Sequence, residues 1–169
     1  ALKLKGDIIV MVHPDHQYNP KLIPKLVEPL INEECDAVFG SRMLGGKFLE
    51  GGMPIWKFYA NVFLTSTANI VLNLFFTEIH SGFRAYSKKY LENINFEKNS
   101  NNFIFDTEII IQGVEKGMKI HEIPIETRYF DEASQINFKN SVIYGFSILF
   151  SLIKYKLHKW KVAKFEMFT

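Results

Sequence analysis

The sequence has one cysteine in 169 residues, so no internal disulfide can staple the fold. Cys35 lies between charged residues and an apolar run and reads as a buried structural thiol, which fits a reducing, cytoplasmic setting. No charge of one sign dominates. The formal net charge is +2, which excludes the broad basic field that drives nucleic-acid binding. Long apolar runs are also missing. Residues 62–76 are interrupted by Thr65, Ser66, Thr67, Asn69 and Asn73, and residues 142–153 fall short of the roughly 18 apolar residues that span a bilayer. Residues 1–7 show no apolar stretch of the signal-peptide kind ahead of the first strand. Repeats and low-complexity tracts are absent.

What is present suits one globular domain. The hydrophobic fraction is 47%, and 16 phenylalanines supply rings for a core or for a surface that meets lipid or a partner. Residues 7–12 are a β-branched apolar run, read as a buried strand. A polar loop at 13–20 follows, then a helical stripe of Leu22, Ile23, Leu26, Val27, Leu30 and Ile31, with Asn19 as N-cap and Pro20 at the first position. Residues 36–40 form the next short strand, so the opening is a βαβ pattern that argues for a parallel sheet. Residues 43–52 are glycine-rich loop, 54–76 one long helix or two, and 77–85 a turn-like connector. Short helix at 87–93, helix at 105–116, strand at 118–127 and helix at 141–161 complete the pass, the last turning basic through Lys154, Lys156, His158, Lys159 and Lys161.

In an open α/β sheet, ligands bind beyond the carboxyl ends of the strands. The loop after residue 12 and the pair Ser41-Arg42 both lie there. The first offers His13, Asp15, His16 and Gln17 within five residues. Asp15 and Gln17, two apart on an extended loop, can supply oxygens to a hard cation such as Mg²⁺ or Mn²⁺. A zinc site from His13 and His16 and a solvated turn without metal are the competing readings. Arg42, Arg84 and Arg128 each follow a strand end or tight turn, and Arg grips phosphate through a planar fork. Converging on one pocket, with Lys57, they would bind a diphosphate or a phosphate-bearing acceptor; otherwise each is a surface or salt-bridged cation. Asp106 and Glu108 are either the general base for an acceptor hydroxyl or acids favouring a helix dipole. Glu78 or His80 could be that base instead. His121 reads as structural, and Trp56, Phe58 and Tyr59 as core rather than sugar platform.

The segment Val-Met-Val-His-Pro-Asp-His-Gln-Tyr-Asn-Pro resembles the metal-binding segment of family 2 glycosyltransferases, near the dolichyl-phosphate mannose synthases and bacterial relatives, where a strand ends in Asp-x-Asp-x-Gln-His-x-Pro. Asp15 matches the second Asp, Gln17 the Gln and Pro20 the Pro, while His13 stands in place of the first Asp. An imidazole there would favour Mn²⁺ over Mg²⁺. Residues 36–42 resemble the family's strand ending in Gly-Ser-Arg, 81–85 its Ser-Gly-Phe-Arg-Ala turn, 105–108 its Phe-Asp-x-Glu helix start and 120–129 its Pro-containing strand with a following basic residue. In order, these cover about residues 6–141.

The resemblance implies an α/β fold of the GT-A, nucleotide-diphospho-sugar transferase type: a mostly parallel sheet with flanking helices. It implies Mg²⁺ or Mn²⁺ on Asp15 and Gln17; substrate contacts from His13, Arg42, Lys57, Arg84 and Arg128; and catalytic carboxylates among Asp106, Glu108 and Glu78. The donor would be a nucleotide-diphospho-sugar and the acceptor a polyprenyl or dolichyl phosphate or a glycan, at a cytoplasmic membrane face. Because the family's metal segment falls midway through its catalytic domain, the N-terminal nucleotide-binding part is expected to be missing here. Residues 1–140 then form a partial catalytic domain and 141–169 an amphipathic helix and tail that lies on a membrane or packs on the missing half. By themselves the 169 residues are expected to be inactive and to self-associate. A non-catalytic transferase-like module that binds glycan, lipid or a partner chain is the alternative.

Overall fold

The computed structural model describes residues 6–46, 52–126 and 138–169. Arg128 and the expected basic end of the Pro124 strand lie outside the described residues, as do residues 47–51 of the glycine-rich loop. Four strands, β1 (Ile8–Met11), β2 (Ala37–Ser41), β3 (Arg84–Ser87) and β4 (Ile120–Pro124), form one sheet in the order β1-β3-β2-β4. The helices are α1 (Ile23–Ile31), α2 (Ile55–Leu72), α3 (Lys88–Glu92), α4 (Phe105–Glu115) and α5 (Phe138–Lys159). The long helix expected at 54–76 is therefore single, and it ends at Asn73, whose left-handed backbone (φ 56°) closes it.

β2 and β4 pair in parallel, whereas β3 runs antiparallel to both β1 and β2. The sheet is mixed: β1, β2 and β4 point the same way with β3 running against them, so the opening βαβ unit does not place its strands side by side. β3, expected as part of a connector, is inserted between them. Its four residues, Arg-Ala-Tyr-Ser, carry no apolar alternation of their own. They are extended because a strand on either side supplies backbone partners.

Side-chain alternation sorts the core into two layers. On one face Phe39 and Tyr86 pack with Leu64, Ala68 and Leu72 of α2, Ile110 of α4, and Ile148, Leu152 and Tyr155 of α5. On the other, Val38 and Ala85 meet Leu26 and Leu30 of α1. The apolar stripe read at 22–31 thus covers one face alone, after a single 3-10 turn (Pro20–Leu22) capped by Asn19, whose Oδ1 accepts from Lys21 N at 3.1 Å.

One glycine on α4 is fixed by packing. A Cβ at Gly113 would fall on the Tyr90 hydroxyl, which donates to Ile109 O at 3.0 Å. Alanine normally gains about 1 kcal/mol over glycine in a helix. Overpacking a closed core costs about 1–3 kcal/mol and should win. Gly113→Ala is thus expected to lower the urea midpoint; a raised midpoint would show that Tyr90 can move aside.

Candidate active site

The carboxyl ends of β1 and β2 open on a cavity of about 220 Å³ whose wall includes His13, Asp15, Gln17, Arg42, Lys57, His80, Asp106 and Tyr144. Both loops singled out by topology therefore contribute to it. The loop after β1 is held by its own side chains. Asp15 Oδ1 accepts from Gln17 N at 3.1 Å, a local turn that Asp readily forms. Tyr18 is buried, stacks on Phe83 (centroids 5.6 Å apart, 16° between planes) and accepts from Gly82 N at 3.1 Å through its hydroxyl. The His13 ring lies against Gly82, where a Cβ would come within 2.5 Å of Nε2. The Ser-Gly-Phe turn is thus the floor on which the metal-type loop rests, which is why glycine stands in it.

Arg42 is fixed by Glu78. The Arg42 backbone N–H donates to Glu78 Oε2 at 2.8 Å and its Nε–H to Oε1 at 2.8 Å, and Nη2 ion-pairs with the same carboxylate. Asn61 Nδ2 adds a contact to Oε1 at 3.3 Å. Glu78 is fully buried and absent from the cavity wall, so it orients Arg42 and is not placed to take a proton from a substrate. Lys57 shares the wall with Arg42; burial and the neighbouring Arg42 charge hold its ammonium pKa below the ordinary value.

Arg84 is placed differently from expectation. Its guanidinium is buried and donates to three main-chain carbonyls, Ser81 O (2.7 Å), Ile79 O (2.8 Å) and Asp106 O (3.0 Å), above the Phe39 ring. Burial opposes its charge, but Asp106 and Tyr86 outweigh it and hold the pKa above its ordinary value. Absent from the cavity wall, Arg84 ties the Ile79–Ser81 segment to the start of α4. Glu108 is likewise buried and turned to structure: its carboxylate accepts from Ser100 N (2.7 Å) and Ser100 Oγ (2.9 Å). Of the two acids in the first turn of α4, only Asp106 lines the cavity.

His80 Nδ1 lies 3.2 Å from the Tyr144 hydroxyl of α5, and Nε2 is buried with no hydrogen-bond partner among the described residues. Desolvation pushes the imidazole pKa down to about 4. Unfolded, the ring titrates near 6.5, so the unfolded chain binds more protons between those values. Stability is therefore expected to fall as pH drops from about 6.5 toward 4, by up to about 3 kcal/mol from this group. In His80→Gln that part of the pH dependence of urea unfolding should vanish; an unchanged profile would remove His80 as its source.

Among the described residues no cluster of three or more His, Cys, Asp or Glu is arranged to hold a metal. His16 is absent from the wall, so the two-imidazole zinc arrangement is not assembled. Asp15, Gln17 and His13 do share the wall, and a carboxylate with a neighbouring amide oxygen fits a hard cation whose shell is completed by phosphate and water. Sequence reasoning missed Tyr144 and Asn61, which are ordinary helix residues until α2 and α5 bring them to the cavity.

The fold is that of GT-A nucleotide-diphospho-sugar transferases. The chain superimposes on glucosyl-3-phosphoglycerate synthase from Mycobacterium tuberculosis, solved in complex with Mn²⁺, uridine diphosphate and phosphoglyceric acid, with a TM-score of 0.64 at 17% identity, over 89% of this chain and 49% of that one. The signature of glycosyl transferase family 2 matches residues 1–94, and the chain belongs to that family. It is 31% identical over 159 residues to UDP-N-acetylglucosamine–dolichyl-phosphate N-acetylglucosaminyltransferase of Methanococcus voltae, covering 94% of this chain and 62% of the relative. It is also 33% identical over 125 residues to dolichol-phosphate mannosyltransferase of Pyrococcus furiosus, covering 70% and 33%. The chain spans less than two thirds of the length of these relatives.

Proposed function

We propose that this chain forms the metal- and acceptor-side part of a glycosyltransferase that moves a sugar from a nucleotide-diphosphate donor to a lipid-phosphate or glycan acceptor. The observation that carries this reading is the convergence of Asp15 and Gln17 with Arg42, Lys57 and Asp106 on one cavity at the strand ends. A bound Mg²⁺ or Mn²⁺ would offset charge on the departing diphosphate. Asp15 and Gln17 would hold it, with His13 beside them. Arg42, ion-paired with Glu78, keeps its guanidinium in a fixed orientation in the same wall, so little reorganisation is needed as charge develops. Asp106 is the carboxylate positioned to accept a proton if the acceptor is a hydroxyl; a phosphate acceptor needs no base. Two relatives named for dolichyl- or dolichol-phosphate transfer support the lipid-phosphate choice.

A membrane surface fits the same reading. No helix among the described residues is long and apolar enough to cross a membrane. α2 and α5 pack together and leave Tyr59, Phe63, Ile70, Phe146, Phe150 and Ile153 exposed, with Lys154 Nζ 4.6 Å from the centroid of the Phe150 ring. Such a face suits an anionic lipid surface, where the acceptor would reside.

Nucleotide release from UDP- and GDP-sugars by the intact protein, with dolichyl phosphate present and with or without EDTA, tests the proposal. Metal-dependent release is expected; binding without any turnover would favour the non-catalytic module. Arg42→Lys keeps the charge but loses the fork, and should lower kcat/KM roughly 10- to 100-fold. Wild-type kinetics in that variant would remove Arg42 from phosphate recognition.

A further inference from the structure

We propose that Glu122, on β4, is a positioning residue that sets Arg42 through Glu78. This rests on the phosphate role of Arg42 proposed above. Glu122 is absent from the cavity wall, so it does not touch a ligand held there. It pairs in register with Phe39, and alternation puts it on the sheet face that also carries Ser41. Its carboxylate accepts from Thr77 N at 2.7 Å, Glu78 N at 3.0 Å and Thr77 Oγ1 at 3.0 Å. Carboxylate clasps on consecutive main-chain amides fix backbone direction strongly, because an ionised acceptor strengthens each bond. The direction fixed here is that of Glu78, whose two oxygens take the Arg42 main chain and guanidinium.

A second tie runs in parallel. Thr77 Oγ1 lies 2.6 Å from Ser41 Oγ, which accepts from Leu44 N at 3.0 Å. Each hydroxyl has one proton to give. Thr77 gives its proton to Glu122, so Ser41 must donate to Thr77. The charge on Glu122 therefore orders a chain of donors that ends on the loop carrying Arg42. Glutamine at 122 keeps one acceptor oxygen and points its amide N–H₂ at either Thr77 N or Glu78 N, so whichever way it turns one main-chain bond of the clasp is lost. Aspartate keeps the charge with a shorter reach.

The deciding measurement is the Arg42 Nε–Hε resonance in ¹⁵N-edited NMR of the ligand-free protein, assigned by its loss in Arg42→Lys. In the wild type, a guanidinium bound this way should give a sharp, slowly exchanging signal. Glu122→Gln should broaden or remove it, and Glu122→Asp should restore it in part, while circular dichroism stays that of the wild type. Pyrophosphate binding with Mn²⁺ should weaken about tenfold in Glu122→Gln. In an Arg42→Ala background the same change should add nothing, because the effect passes through Arg42. An unchanged Arg42 signal in Glu122→Gln, or an undiminished pyrophosphate effect without Arg42, overturns the proposal. Failure of the wild type to bind pyrophosphate would instead overturn the phosphate reading, with the Arg42 signal still deciding whether Glu122 positions it.

Discussion

Arg84→Met is expected to destabilise the fold by about 3–5 kcal/mol, the range seen when one side of a buried charged arrangement is removed. Methionine keeps the apolar stem of arginine, so the loss comes chiefly from the guanidinium and its bonds. Ser81 O, Ile79 O and Asp106 O lose that donor at once, the first two on residues that are almost fully buried. An unsatisfied buried carbonyl costs about 1–3 kcal/mol. Relaxation of the Ile79–Ser81 segment would recover part of the sum and move Gly82, on which His13 rests. Weaker ligand binding should therefore accompany the lower stability, although Arg84 touches no ligand. Urea unfolding checks this: the midpoint should fall with the slope unchanged. A change within about 0.5 kcal/mol would mean that the three carbonyls find other partners.

The second large effect is on chemistry alone. Asp15→Asn should reduce turnover by on the order of 10²–10³-fold, the scale on which removal of one preorganised electrostatic contact acts. The variant is a clean test because of the local geometry. Asp15 Oδ1 accepts from Gln17 N, and an asparagine oxygen can accept the same bond. The loop should keep its shape while the cavity loses its carboxylate for the cation. Unchanged thermal unfolding with collapsed turnover is the expected pair of results. Near-normal, metal-dependent turnover would remove Asp15 from the site.

Much of this arrangement is legible in the sequence, and the parts that are not share a cause. The loop after β1 is readable because its residues act on neighbours in the chain: Asp15 bonds Gln17, and Asn19 caps Lys21. The stripe of α1 is readable because burial of one helix face imposes a period, and the strand of residues 37–41 because burial on both faces leaves a continuous apolar run. β3 has no period of its own and exists through two ladders formed by distant segments. Arginine spacing gave no means of telling Arg42 from Arg84. Arg42 follows a strand end and Arg84 a tight turn, yet one meets a buried carboxylate 36 residues away and the other meets main-chain carbonyls. Glu108 and Asp106 sit two apart on one helix start, so about 200° of rotation separates them and only one can face the cavity. Glu122 gives no local signal, since its partners, Thr77 and Glu78, lie 45 and 44 residues earlier.

The central claim is that this cavity binds a diphosphate through a cation held at Asp15. Isothermal titration of pyrophosphate, with and without Mn²⁺, into the wild-type protein and Asp15→Asn tests it without reference to the base, sugar or acceptor. The account predicts Mn²⁺-dependent binding in the wild type and its loss in Asp15→Asn. Binding that is equal without Mn²⁺, or unchanged in Asp15→Asn, would contradict it.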